Sequence, residues 1–407
     1  MASGISSFGS MFTFVAIPYQ VMVLTNDPLM VGLIGVAELV PLLFMAFVGG
    51  ALADYIDRRK LILGAEAAFT VLLGVLLLNS LLGTPKLWLL FVIAGLSASI
   101  EGIQRPAMDA IIPRLAPAEK MAAVGALNSL RWQAAQIGAP ILAGLLLAGA
   151  GLTWLYAIDL ATFAISLGCL AMLKAVPPPE KADRPSLKSV VDGLRYAKSR
   201  KELLGTYLID INAMFFAFPY ALFPFLAEDL GGAAVLGLFY AAPAVGSLLV
   251  TLTSGWTARV HRHGLAVVLA AAAWGGGIIV FGLADSLWLA LVGLLIAGGS
   301  DMISGLFRGV IWNQTIPDHL RGRLAGIEML SYMTGPMLGQ TRAGLSARWL
   351  GNSGAVVWGG VACVIGTVAL AAALPAFLRY DGRDGIARKR AEEAARAESL
   401  ADIPSPA

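Results

Sequence analysis

Charge is what this sequence has least of. Only 14% of its 407 residues are Asp, Glu, Lys or Arg, where a water-soluble domain carries about a quarter. There are three histidines (His261, His263, His319) and two cysteines (Cys169, Cys363), with no CxxC and no metal-ligand spacing. HExxH, a Walker loop and GxSxG are all missing. These absences withdraw support from a metal site, from a hydrolase and from a pump carrying its own ATPase. No catalytic residue, metal or cofactor is expected. The net charge of +3 is too small to point to a nucleic-acid partner.

What remains is apolar. The chain is 58% hydrophobic, with 46 glycines and a mean hydropathy of +0.77, more apolar surface than one water-soluble core can bury. A helix crossing the hydrocarbon layer needs about 20 apolar residues, and such runs recur throughout. Twelve spans are read, near 3–24, 30–53, 61–80, 87–110, 121–147, 154–173, 203–226, 234–257, 264–284, 287–312, 324–346 and 355–378. The expected fold is an all-α membrane protein. It is divided into a six-helix half (1–173), a linker (174–202), a second six-helix half (203–379) and a tail (380–407).

The linker begins Pro-rich and extended, and its "SLKSVVDGLRYAKS" has the spacing of an amphipathic surface helix. The tail reads as solvated, partly helical or disordered. With both termini placed inside, 23 of the 29 Lys and Arg fall in cytoplasmic segments and two outside, at Lys86 and Arg348. That bias sets the orientation.

The chain also repeats itself at half its length. "GALADYIDRR" (50–59) is echoed by "GWTARVHRHG" (255–264), and "GIQRPAMDAIIP" (102–113) by "GLFRGVIWNQTIP" (305–317). Two six-span halves suit a rocking transporter with its site at the midplane between them.

"GALADYIDRRK", between spans 2 and 3, resembles the G-x-L-A-D-R-x-G-R-R signature of the major facilitator superfamily. "VAIPYQVMVLTNDPLMVGLIG", "AIIPRLAPAEKMAAVGALNS" and "GRLAGIEML" resemble its branch of bacterial enterobactin exporters and related drug-efflux proteins. The resemblance implies a multi-pass transporter of the bacterial cytoplasmic (inner) membrane, acting on a small molecule with protons and working as a monomer. It also implies that the loop carrying Gly50, Asp54, Arg58 and Arg59 latches the halves together on the cytoplasmic side, with Asp54 and Arg58 as latch residues. Tyr55 stands where the signature has Arg, and Asp57 where it has Gly. Asp tolerates a left-handed turn better than most residues, so the turn is expected to survive. The competing reading is topogenic charge alone.

Charges inside the bilayer cost on the order of 3 kcal/mol or more, so each calls for a role. Glu101 and Arg105 are four apart on span 4; Asp301 and Arg308 are seven apart on span 10. Both sets are expected to face a central cavity, with Glu101 and Asp301 as the deepest acids, exchanging protons, and Arg105 and Arg308 holding an anionic substrate. Structural pairing between helices is the alternative. Asp159 and Asp210 are further proton candidates, and Glu38 and Arg131 further substrate candidates. Glu38, Asp159 and Asp210 sit nearer span ends, where snorkelling explains them as well. Arg342 is a further intramembrane charge. The stretch "MFFAFPYALFPF" (214–225) either walls a cavity for a ring-bearing substrate or packs against lipid.

Span 1 begins almost at Met1, without the basic lead-in of a cleaved signal peptide. It is read as an uncleaved span at a start that looks clipped beside the family. The expected function is proton-coupled export of a small organic molecule, a catecholate siderophore first, with multidrug efflux as the alternative and a non-transporting scaffold as the minor one.

Overall fold

The computed structural model describes residues 2–115, 118–172, 195–317 and 320–401, and these contain helices and no strand. The first six passes are α1 (Ala2–Thr25), α2 (Pro28–Tyr55), α3 (Arg58–Leu81), α4 (Leu87–Leu115), α5 (Met121–Gly149) and α6 (Leu152–Ala171). The seventh pass is broken into α7 (Lys201–Phe216), a short turn at Tyr220–Leu222 and α8 (Phe223–Leu230). There follow α9 (Ala233–Leu252), α10 (His263–Gly282), α11 (Leu287–Thr315) and α12 (Arg321–Ala373), then the short α13 (Pro375–Leu378) and the tail helix α14 (Gly382–Ala401).

Eleven of these segments are long and apolar enough to cross a membrane. The eleventh is two passes. Gly351 inside α12 has φ 72 and ψ 170, a backbone region essentially closed to side chains. There the chain doubles back, giving the twelve passes of two pseudo-symmetric halves. The arm before Gly351 packs along α2, and the arm after it along α10.

The two ends of the bundle differ. The end opposite the termini, here called the far end, is sealed. A Cβ at Gly35 would run into the carbonyl of Met337, and one at Gly144 would lie 2.8 Å from the amide nitrogen of Gly237. Such contacts need glycine, and they bring α2 onto α12 and α5 onto α9 across the two halves. Thr341 donates to the carbonyl of Gly32 at 2.8 Å. Arg348 pairs with Asp27, its Nε 3.3 Å from Oδ1. At the end bearing the termini, no residue from 125 to 130 is buried, so α5 packs on none of its faces there. The described contacts between the halves gather toward the far end, and nearer the termini a cleft is left between α4 and α11, bridged where Arg105 meets Tyr332.

Several expectations change. Asp57 takes φ −52 and ψ 120, not a left-handed turn, and its carboxylate caps α3 by accepting from Arg59 N at 2.8 Å. A capping carboxylate thus does locally what the glycine of the signature would do by flexibility. The tail is not simply solvated. It forms α14, tied to the second half by Arg388 to Glu202 at 2.9 Å and by Glu392 to Arg200. The amphipathic stretch of the linker lies almost wholly outside the described residues, which resume as a helical turn at 195–199.

Candidate functional site

The cleft is lined from both halves at mid-depth. On α11, Asp301 and Arg308 share one face, as their spacing of seven predicts, with Arg308 Nη2 3.9 Å from Asp301 Oδ1. The main partner of Arg308 is different. Its Nη1 pairs with Asp210 of α7, and both residues are buried, at 8% and 4% exposure. Asp210 Oδ2 accepts from Ser331 Oγ of α12 at 3.3 Å. Glu328, one turn earlier on α12, interacts electrostatically with the same arginine. Three carboxylates thus converge on one guanidinium.

Across the cleft, α4 presents Glu101 and Arg105. The guanidinium of Arg105 lies over the ring of Tyr332, 5.6 Å from its centroid. This contact joins the first half to the residue after Ser331, and so to the Asp210–Arg308 pair. Glu38 on α2 interacts electrostatically with Glu101. Glu38, Glu101 and Asp301 are each surrounded by protein yet reachable by water, as groups lining an internal cleft are.

The cleft ends beneath an aromatic roof. Tyr220 stacks on Phe218 and Phe223, with centroids 4.2 and 4.6 Å apart, and Phe14 of α1 meets Tyr240 of α9 edge to face at 5.3 Å. The stretch 214–225 is therefore mostly interior packing at the sealed end, with Tyr220 near Asp301.

Arg342 is held structurally. It donates to the carbonyls of Phe215, at 3.2 Å, and Phe216, and lies over the Trp358 ring at 5.6 Å. α7 stops at Phe216, so its last carbonyls need donors that no further turn supplies. A cation there also suits the helix dipole.

The expected sites divide clearly. Arg308, Asp210 and Asp301 are brought together, and Glu101, Arg105 and Glu38 form the opposite wall. Asp159 is 1% exposed, with Thr13 and Thr162 as partners, and Asp210 is buried too, at 4%. Neither snorkels, and both are more buried than Glu101 and Asp301, the acids expected to be deepest. Arg131 on α5 packs its stem against Gly4 of α1, away from the Arg308 cluster. In the first turn of α3, Arg58 is 7% exposed, and Arg59 donates to the carbonyl of Ala171 at the end of α6, at 2.6 Å. Gly50 and Asp54 lie on the last turns of α2, and their surroundings fall outside the described residues. Among the described residues no metal-ligating cluster occurs.

Sequence reasoning missed Glu66 and Glu328. Each is a lone acid within an apolar run, which is the signal that would have found it.

This arrangement of two six-helix halves around a polar cleft is that of known transporters. The fold is similar to the nucleoside transporter NupG (TM-score 0.68, 16% identity, 93% of this chain and 98% of that one). It is also similar to a bacterial homologue of the iron transporter ferroportin in an inward-facing state (TM-score 0.67, 15% identity, 91% and 96%). These likenesses show the fold, two six-helix halves of the major-facilitator type.

The chain belongs to the transmembrane secretion effector family, whose profile matches residues 1–402. Among curated relatives it is 30% identical to Enterobactin exporter EntS of Shigella boydii serotype 18 (strain CDC 3083-94 / BS512), over 335 residues, 81% of this chain and 80% of the relative. The Enterobactin exporter EntS of Escherichia coli O1:K1 / APEC is similar to the same extent, 30% over 335 residues, with the same shares of the two chains.

Proposed function

We propose that the protein exports a small, ring-bearing, oxygen-rich organic molecule from the cytoplasm across the bacterial inner membrane, in exchange for protons. A catecholate siderophore is the leading substrate. The observation that carries this reading is the cross-cleft pairing of Arg105 with Tyr332. A guanidinium plane and an aromatic face, one from each half, are what flat rings with many acceptor oxygens bind. Similarity to enterobactin exporters supports the same substrate class.

The Lys and Arg bias puts the termini inside, so the open end is the cytoplasmic one, from which an exporter loads. Transport then needs the halves, 1–173 and 203–379, to rock about the sealed end, with the linker 174–202 as tether. The 50–60 loop acts as the cytoplasmic latch. Glu101 and Asp301 line the cleft and exchange its protons, and Arg308 holds Asp210 and Asp301 in place while Arg105 meets substrate.

A second reading, multidrug efflux, is favoured by the Glu38–Glu101 pair, because a lipophilic cation would sit against two acids. The readings predict opposite outcomes. Deleting the gene should trap siderophore in cells and leave resistance to cationic dyes nearly unchanged, and Arg105→Ala should reproduce the defect at normal membrane abundance. In proteoliposomes, Glu101→Gln and Asp301→Asn should uncouple flux from the pH gradient while binding persists. Normal siderophore secretion with new dye sensitivity would overturn the first reading in favour of the second.

A further inference from the structure

Away from the cleft, the first half encloses a second polar centre. Glu66 of α3 and Asp159 of α6 are 2% and 1% exposed and interact electrostatically with each other. Among the described residues their hydrogen-bond partners are all neutral. Ser6 Oγ of α1 and Gln104 Nε2 of α4 each donate to Glu66 Oε1 at 3.2 Å. Thr13 of α1 donates to Asp159 Oδ2, and Thr162 donates to Oδ1 at 3.3 Å. Ser166, beside the same Glu66 carboxyl, turns its hydroxyl to Ser6 Oγ at 3.4 Å. Glu66 Oε2 is buried and meets no hydrogen-bond donor.

Two buried carboxylates and an orphaned oxygen would be expensive as bare anions, since a buried charge without a counter-ion costs several kcal/mol. The contrast with Asp210, which has Arg308, is direct. The elements packed around the centre carry other ionisable groups: Arg58, Arg59 and Lys60 form the first turn of α3, and Tyr19 lies on α1 toward the far end. On α4, Glu101 and Arg105 flank Gln104 but face the cleft; on α5, Arg131 packs against Gly4, near Ser6; on α6, Tyr156 donates to Gln20 of α1 at 2.7 Å. Among the described residues no cation acts on either acid. What neutralises the centre must therefore be small enough to enter a packed interior.

We propose that Glu66 and Asp159 form a proton-holding site inside the first half, additional to the acids that line the cleft. The step is a simple transfer. A proton from cleft water bonds to a carboxylate oxygen of the pair, and leaves by breaking that O–H bond back to water, with no change of oxidation state. Gln104 gives the route a place, because its helix has Glu66 on one side and the cleft acids on the next. Uptake changes what Thr13 and Ser6 can donate to, so it acts on how α1 seats against α3 and α6. The inference rests on the proton-coupled reading above, but its test contains no substrate and so stands or falls apart from the flux assay.

The test is an infrared titration of the purified full-length chain in lipid nanodiscs. A carboxylic-acid C=O band should disappear as pH rises, and it should be lost in Glu66→Gln and diminished or displaced in Asp159→Asn. Thr13→Val and Gln104→Leu, which keep both acids and remove a partner, should move the midpoint of that loss. They serve as the test if the acid variants fail to accumulate. A band unchanged in all four variants would overturn the proposal. So would a centre that responds to sodium at fixed pH and not to pH at fixed sodium.

Discussion

The sealed end and the open end of this bundle are held by different physics. At the sealed end, glycine lets backbone meet backbone across the halves, and aromatic rings close the space beneath. Among the described residues one ion pair bridges the halves there, Asp27 with Arg348, and it is partly exposed. At the open end the chain concentrates its charge, in the 50–60 loop, the linker and the tail, and leaves a stretch of α5 unpacked. Close packing is short-ranged and nearly all-or-none. Charge pairs in a wet environment are individually weak and easily exchanged. An end that must open and reclose can use either, but the two respond differently to perturbation.

The largest effect is expected where packing is broken. Gly35→Leu puts a side chain where the backbone carbonyl of Met337 lies, and overpacking, typically about 1–3 kcal/mol, costs more than about 3 kcal/mol where rigid backbone is met. The far end should become accessible to an impermeant thiol reagent at a cysteine introduced there, and transport should collapse. Wild-type accessibility in that variant would mean that the glycine contacts do not carry the seal.

An intermediate effect is expected at the latch. On the proposed latch role, Asp54→Asn would remove one charge-assisted bond, worth about 1.5–3 kcal/mol, and should raise the inward-open population about tenfold or more. Cysteine labelling from the cytoplasmic side at equal expression reports it. Unchanged labelling would leave the loop with topogenic charge as its only role.

The smallest effect is expected from the exposed pair. The hydrogen bond from Arg348 holds Asp27 below the usual carboxylate range. With a lowered value in the closed state, the pair helps closure fully above the ordinary carboxylate range and loses that help as pH falls through the lowered value. Far-end labelling should therefore rise slightly on acidification into that window, and Asp27→Asn should abolish the dependence. A flat wild-type profile would assign closure to packing alone.

The passes were legible because hydropathy is a property of contiguous residues. Spans 87–110 and 264–284 fall almost on α4 and α10. What the sequence could not display was radial position. Asp159 and Asp210 stand near span ends along the chain, which suggested snorkelling, yet each is enclosed by helices distant in sequence. The Thr13 and Ser331 partners lie 146 and 121 residues away. The tail, expected to be solvated and partly helical or disordered, hid its anchoring for the same reason, since Arg388 meets Glu202 at a separation of 186 residues. The pairing of Asp301 with Arg308 was legible because both lie on one helix. The break in α7 was only half visible, as prolines in an aromatic run, because the arginine that tends it sits on another pass.

Gly351 gives this difference a mechanical side. The eleventh and twelfth passes are joined through one non-helical residue, so there is no slack between them at the far end. The first arm carries Ser331 and Tyr332 at the cleft, and the second packs on α10, deep in its own half. A tilt of the first arm that follows substrate or Arg105 cannot be absorbed by a loop. It is passed on as a lever stroke about a single pivot, so motion at the cleft wall becomes motion of the outer helices without any hinge segment between them.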